Sequence, residues 1–304
     1  MHRDRTSSAY STLKPPFGGV TALIVASLGQ LVIAGSPPLS TDDPETPGYG
    51  GWEINVTSSY EHTRGGAVLE APLFDINYGL TSDRDQLKLE IPLISNDPEN
   101  AEAELGMGDF DVGYKYRFLD SDENNGWAIS IYPQLSTPTG DERRGLGSGD
   151  AELLIPFEFQ KSFWNDKLWI NPEVGYNIDF GRHNSNGWKL GLAMGYEFPN
   201  DFEIQGEVGA FLFEDRRETD NPFFNIGFAQ PLNHNVVLLG SAGRSFRSSE
   251  DGTPNFFCLF GVQFLFGAAA HETHPAHEEG AGIATDVESA ETLNAESSES
   301  HHQL

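Results

Sequence analysis

Eleven carboxylates fall on one parity of a train of alternating segments: Glu53, Asp75, Glu90, Asp111, Glu152, Glu158, Glu173, Asp179, Glu197, Glu203 and Glu207. The bases on that parity are Lys88, Lys115, Arg117 and Lys189, with Arg244 unassigned. An excess of carboxylates on one face suits ion selection. Fixed negative charge inside a low-dielectric wall concentrates cations and repels anions. The alternative is a narrow interior filled by ion pairs, because charge taken out of water needs a partner. The expected pore-lining set is Glu53, Asp75, Lys88, Glu90, Asp111, Lys115, Arg117, Glu158, Glu173, Asp179, Lys189, Glu203 and Glu207. Glu173 and Glu207 should lie nearest its middle.

Other groupings are weaker. Ser185 could act as a nucleophile if His183 activated it. The run PTGDERRGLGSG from Pro138 to Gly149 is glycine-rich but lacks the lysine and strand-to-helix setting of a phosphate loop. It reads as a flexible external loop that could fold inward. His271, His274 and His277 could hold a transition metal loosely, yet their acidic surroundings read as tail, and no metal or cofactor is assigned. Cys258 is the single cysteine, which excludes an intrachain disulfide framework, and it should face lipid as a small apolar side chain.

Period 2 positions these residues. In LWINPEVGYNIDF, residues 168–180, Leu168, Ile170, Pro172, Val174, Tyr176, Ile178 and Phe180 oppose Trp169, Asn171, Glu173, Gly175, Asn177 and Asp179. That is a strand with one apolar and one polar face. Twelve such segments start near Trp52, Val68, Gln86, Asp109, Trp127, Ala151, Lys167, Trp188, Phe202, Pro222, Val236 and Asn255. Each is about ten residues or more, as a tilted membrane-crossing strand requires. The segment at 202–213 keeps its parity until Phe211 and Phe213 join from the other face, and 236–246 has no clean parity. Short turns at Ser82–Asp85, Trp164–Asp166, Asn200–Asp201 and Leu232–Asn235 alternate with longer loops at Asn96–Met107, Pro138–Gly149, Gly181–Gly187, Glu214–Asn221 and Gly243–Pro254, with one exception, Asp120–Asn125, which is long for its side. Aromatics gather at strand ends, as membrane interfaces favour.

Composition agrees. Hydrophobic residues are 38% and aromatics 12%, so a polar interior dilutes the apolar side chains of a barrel. The net charge of −28 argues against a nucleic-acid partner. Arg3, Arg5 and Lys14 before the apolar stretch Val20–Ala34 read as a signal peptide, residues 1–34. Residues 35–50 should be an irregular periplasmic lead-in, 51–267 the barrel, and 268–304 an acidic, His-containing disordered tail. The fold expected is all-β: a closed antiparallel transmembrane barrel of about 12 strands. A soluble sandwich also alternates, but lacks the alternation of short turns and long loops.

The stretches PPLSTDDPETPGYGGWEIN, FDINYGLTSDRDQLKLEIP, GMGDFDVGYKYRF and IYPQLSTPTGDERRGLGSGD resemble a family of outer-membrane transporters named for the MetA pathway of phenol degradation. The resemblance runs from about Pro37 to Phe266. It implies a channel or exporter, for hydrophobic or aromatic compounds among other candidates, and brings no catalytic residues. The final strand resembles a barrel-assembly signal at Gly261, Phe264 and Phe266, although Leu259 stands at its polar position and residues follow Phe266. His183 to Gly187 resembles a segment of the outer-membrane phospholipase A barrel, but here the pair takes the lumen parity and the enzyme's downstream segment is missing.

These readings converge on a non-enzymatic outer-membrane channel for small molecules, in a diderm bacterium, with both termini periplasmic. Its partners would be outer-membrane lipid, the barrel-assembly machinery and a small-molecule permeant. A non-conducting structural or surface-recognition barrel is the alternative, and an outer-membrane hydrolase a remote one.

Overall fold

The structure is a computed structural model that describes residues 37–181, 186–215, 218–247 and 252–269. The expected signal peptide, His183, Ser185 and the His271–Leu304 stretch lie outside these residues.

Each alternating segment becomes a strand, because successive side chains leave a pleated backbone on opposite sides. In chain order these are β1 (Trp52–Thr63), β2 (Gly66–Gly79), β3 (Asp85–Pro98), β4 (Glu104–Met107), β5 (Phe110–Leu119), β6 (Trp127–Ile131), β7 (Gln134–Thr137), β8 (Glu152–Phe163), β9 (Leu168–Asp179), β10 (Gly187–Glu197), β11 (Glu203–Phe213), β12 (Asn221–Asn233), β13 (Val236–Ser245) and β14 (Phe256–Phe266). All pairings are antiparallel, between strands next or next but one in the chain, and β1 also pairs with β14 from Trp52↔Phe266 to His62↔Phe256. The sheet therefore closes and leaves no free edge, which a sheet in hydrocarbon requires.

Fourteen strands make twelve staves, because β4 runs on into β5 and β6 into β7. Both interruptions have local causes. Pro133 lacks the N–H that would continue the β6 ladder. At Gly108–Asp109 the Asp109 carboxylate turns aside to accept from Gly140 N–H and Ser148 N–H, at 2.8 and 2.6 Å. Tight turns at one end use residues that tolerate left-handed backbone: Asn165, Asp166 and Asp201 have φ of 55°, 61° and 60°.

The outer surface carries the apolar parity. Trp52, Trp127, Trp188, Phe118 and Phe180 are exposed near strand ends, with Leu190, Leu192, Met194 and Phe260 between them. Cys258 lies on this outer parity, half-buried. Buried side chains therefore lie inside the barrel.

Three expectations are corrected. Residues 96–107 are not a loop: β3 continues to Pro98 and β4 pairs back on it from Asn96↔Glu104 to Leu93↔Met107. Loop 138–150 is not loose. It contains a 3-10 turn, Glu142–Arg144, capped by Asp141, and its Leu146 is 1% exposed against Gly106 and the Ile94 row. The third correction is the largest. The segment from Pro37 to Pro47, expected outside the barrel in the periplasm, is irregular as expected but runs through the interior, and nearly all of it is buried.

Candidate functional site

The inner wall places the expected residues where strand parity put them. Asp75, Lys88, Glu90, Asp111, Lys115, Arg117, Glu158, Glu173, Lys189 and Glu207 are all buried in the interior. Glu53, Glu203 and Asp179 are partly buried on the same inward parity. Arg244 is exposed on the outer parity of β13, so it does not belong to the interior set.

The bases do not stand free. Lys88 Nζ is 2.8 Å from Glu90 and 3.8 Å from Asp75. Lys115 Nζ lies 3.2 Å from Glu158 and 3.1 Å from Asp42. Lys189 Nζ lies 2.8 Å from Glu173 and donates to Ser40 O at 2.7 Å. Arg117 pairs with Glu45 and with Asp120. Glu158 and Glu173 are directly opposed on β8 and β9. Like charges so placed repel, and here each carboxylate has its own lysine. Tyr132, 1% exposed, presents its ring to Lys115 and Lys88, with centroids 4.6 and 6.0 Å away.

The N-terminal segment completes this lattice. Glu207, expected near the pore middle, accepts from Ser40 N–H, Thr41 N–H and Thr41 Oγ1, each at 2.8 Å. Asn225 donates to it as well. Glu173 accepts from Asp42 N–H at 2.8 Å. The Pro38 carbonyl accepts from Ser241 Oγ at 2.7 Å, and Lys115 reaches the Asp43 carbonyl. Thr46 and Tyr49 bond to Asp83 in the β2–β3 turn. The segment thus rises from the short-turn end to the level of Glu173 and Glu207 and crosses toward β12 and β13. An irregular backbone has unpaired N–H and C=O groups that cannot be left dry. The interior carboxylates and amides satisfy them, as an apolar lumen could not. Burial pushes the Asp43 carboxyl above its ordinary value, against the pull of Lys115.

The inner wall is also asymmetric, which parity alone did not reveal. Strands β12 to β14 turn Phe223, Phe257, Leu259, Leu239, Val237 and Leu265 inward, all buried. Phe211, Phe223 and Phe257 form a row, the first two rings stacked with centroids 6.1 Å apart and the last two edge to face at 5.9 Å. Phe223 lies over Gly209 and Phe257 over Gly243. The inward Phe211 is the residue that broke the parity of its segment, and the apolar inner face of β13 explains why its alternation was illegible.

Sequence reasoning missed Ser40, Thr41, Asp42 and Glu45 as interior residues. Their acidic and hydroxyl character, next to a lumen holding lysines, was the available signal. It put Trp169 on the polar face without giving it a role, and it missed Tyr132, which lies on the inward parity among polar neighbours.

Between the N-terminal segment and the wall lies a cavity of about 370 Å³. Asp43, Glu53, Asp75, Lys88, Lys115, Tyr132, Trp169, Asn171, Glu203 and Gln205 contribute to its lining. At the long-loop end, loop 138–150 packs against β4 through Leu146 on Gly106. Among the described residues no group of three or more His, Cys, Asp or Glu side chains is arranged to hold a metal ion.

Comparison with known proteins places this architecture. The COG4313 outer membrane channel from Pseudomonas putida F1 superposes with a TM-score of 0.57 at 14% identity, over 74% of this chain and 98% of that one. The NanC porin gives 0.53 at 10% identity, over 69% and 98%. The KdgM porin, solved with disordered oligogalacturonate, gives 0.50 at 14%, over 71% and 99%. At these identities the likeness is one of fold. No curated protein matches the chain in sequence. A family model does match, from residue 38 to residue 266, beginning in the buried N-terminal segment and ending on the last residue of β14. This closed twelve-stave barrel belongs to the family described as "Putative MetA-pathway of phenol degradation".

Proposed function

We propose that this protein is an outer-membrane channel for small molecules whose path is closed, in the state described, by its own N-terminal segment. The observation that carries the reading is the way the segment is held. Its backbone groups and Asp42 are bonded to Glu207, Glu173, Lys115 and Lys189, charged side chains of four different strands. A barrel meant only as a scaffold could fill its interior with apolar side chains at lower desolvation cost. A charged wall makes a usable aqueous path once the segment shifts. The chain is read as entering the outer membrane after removal of a leader, residues 1–34, and through the barrel-assembly machinery. The short-turn end and both barrel termini then face the periplasm. The apolar outer surface meets lipid, and no catalytic residue is assigned.

The finer reading, passage of aromatic or hydrophobic compounds, has less support. The apolar inner sector would favour such solutes, but its rings are folded against glycines of the wall and against one another. The charge excess favours small cations instead.

Planar-bilayer recording tests this. Full-length refolded protein should show small or rare openings, and a variant lacking residues 36–47 should show a larger, steady conductance. Reversal potentials in a salt gradient should indicate cation preference that fades as salt rises, since screening acts over about 10 Å at 0.1 M. A correctly folded deletion variant that does not conduct would establish the structural, non-conducting reading. Anion preference would overturn the assigned role of the acids.

A further inference from the structure

Among the described residues the interior ion pairs leave several acids without a cation, Asp111 and Glu152 among them, and three such acids share one cavity. Six acids line the cavity beside the N-terminal segment, Asp42, Asp43, Glu45, Glu53, Asp75 and Glu203, against Lys88 and Lys115. Asp42 is matched by Lys115, Asp75 by Lys88, and Glu45 by Arg117. Asp43, Glu53 and Glu203 have no such match among the ion pairs of the described residues: they accept from Glu45 N–H, from Asn55, and from Trp169 and Gln205. Asp43 stands within electrostatic range of both Glu53 and Glu203, which come from β1 and β11 on separate sides of the barrel.

Two further features point to a ligand. Trp169 lies on the inward face of β9, its indole against Gly195, where even a Cβ would come within 2.3 Å of the ring. Its Nε1 donates to Glu203 at 3.1 Å, which fixes the ring beside that carboxylate. The remaining ring surface lines the cavity. One row away Asn171, 4% exposed, also lines the cavity, and its buried Oδ1 has no hydrogen-bond partner. A buried acceptor left without a partner is costly. A hydrogen-bond donor bound in the cavity would satisfy it.

An aromatic face beside one carboxylate, in a cavity that others line, is the chemistry that recognises alkylammonium groups. The ring quadrupole attracts the diffuse positive charge of the alkylated nitrogen, and the carboxylates balance it. The cavity volume lies within the range of small-molecule sites, about 300–1,000 Å³. We propose that this cavity is a binding site for a small organic ammonium ion, seated against Trp169 and balanced by Glu203, Glu53 and Asp43. The inference rests on reading the lumen as a permeation path and deepens it by naming the class of permeant held there.

Isothermal titration calorimetry on the full-length barrel in detergent micelles tests it, with protonated benzyldimethylamine, whose one N–H can donate, as probe and isobutylbenzene as its uncharged isostere. Benzyldimethylammonium should bind saturably at one site, at least about tenfold tighter than the isostere. Trp169→Leu should weaken it about tenfold, and Trp169→Phe, which keeps a ring over Gly195, about threefold or less. Glu203→Gln keeps an acceptor for the indole N–H and should still weaken binding several-fold. Unboiled gel migration confirms that each variant is folded. Equal binding of the two probes, or binding unchanged in Trp169→Leu and Glu203→Gln, would overturn the proposal, as would absence of saturable binding to the native chain. The measurement is made at equilibrium without a voltage. A barrel that binds the cation but never conducts would sink the channel reading and leave the site. A cation-selective pore that binds no probe would do the reverse.

Discussion

Two irregular segments fold into this barrel from opposite ends, and they are held in different ways. The N-terminal segment is bonded to charged side chains on β5, β9, β10 and β11, at sequence separations beyond 70 residues. Loop 138–150 is held mostly by itself and its neighbours: Asp141 caps its 3-10 turn, Asp109 gathers Gly140 and Ser148, and Leu146 packs on Gly106. Its ion pair, Arg144 with Glu104 at 2.7 Å, is 43% and 39% exposed. Dry charges make the first attachment strong but conditional, because each partner left alone in the interior is costly. Local turns and one apolar contact make the second attachment independent of the rest of the lumen.

The largest expected effect comes from Lys189→Met. It leaves Glu173 buried without its cation and frees the Ser40 carbonyl, so the barrel should lose about 3–5 kcal/mol. The midpoint of urea unfolding, followed by gel mobility of unboiled samples, reads this. Adding Glu173→Gln should recover most of the loss, and an unchanged midpoint in the single variant would mean that the pair is wetter than its burial indicates.

Glu207→Gln should act on the segment more than on the barrel. Hydrogen bonds to a charged group contribute about 1.5–3 kcal/mol against about 1 kcal/mol for neutral ones. With two backbone donors and a hydroxyl involved, a cysteine at Ser40 should react with a thiol reagent roughly tenfold faster when combined with Glu207→Gln than in the otherwise native barrel. Channel openings should become more frequent in parallel. If reactivity rises without conductance, the segment is not what closes the path.

Leu146→Ala should cost about 2 kcal/mol, at the low end for a buried leucine because a loop can relax. It should loosen loop 138–150 to proteolysis and leave the protection of Ser40 unchanged. Coupled loosening of both segments would erase the distinction between them.

The smallest effect belongs to Glu104→Ala. A pair this exposed is worth less than about 1 kcal/mol and is screened by salt, so proteolysis of the loop should change by less than about threefold. A larger change would make electrostatics matter at both ends.

Much of this architecture was legible because membrane strands obey a period of 2 that local reading detects. The twelve segments were located to within about two residues of the staves, apart from the fourth, where β4 extends the stave back to Glu104. Parity also placed Lys88, Lys115, Glu158, Glu173, Lys189 and Glu207 inside. Where both faces of a strand are apolar, as in β13, the alternation vanishes and parity is silent. The ion pairs were not legible, since Lys115 meets Glu158 and Asp42 from elements 43 and 73 residues away. A list of acids and bases gives a net excess. It does not say which acids keep that excess, and here three of them, Asp43, Glu53 and Glu203, line one cavity with Trp169.

The amino-acid sequence by itself determined the closed sheet, because alternation, strand length and short turns are local and hydrocarbon tolerates no open edge. It also determined which residues face inward. The tertiary structure alone decided what fills the interior. A Pro- and Asp-rich stretch with no periodicity could be a solvated linker or a plug with equal local plausibility. The choice depends on whether distant carboxylates and lysines present partners for its backbone once the barrel has closed around it. Glu207, Glu173, Lys115 and Lys189 do so only after β5, β9, β10 and β11 are brought around a common axis, a relation that no local pattern encodes.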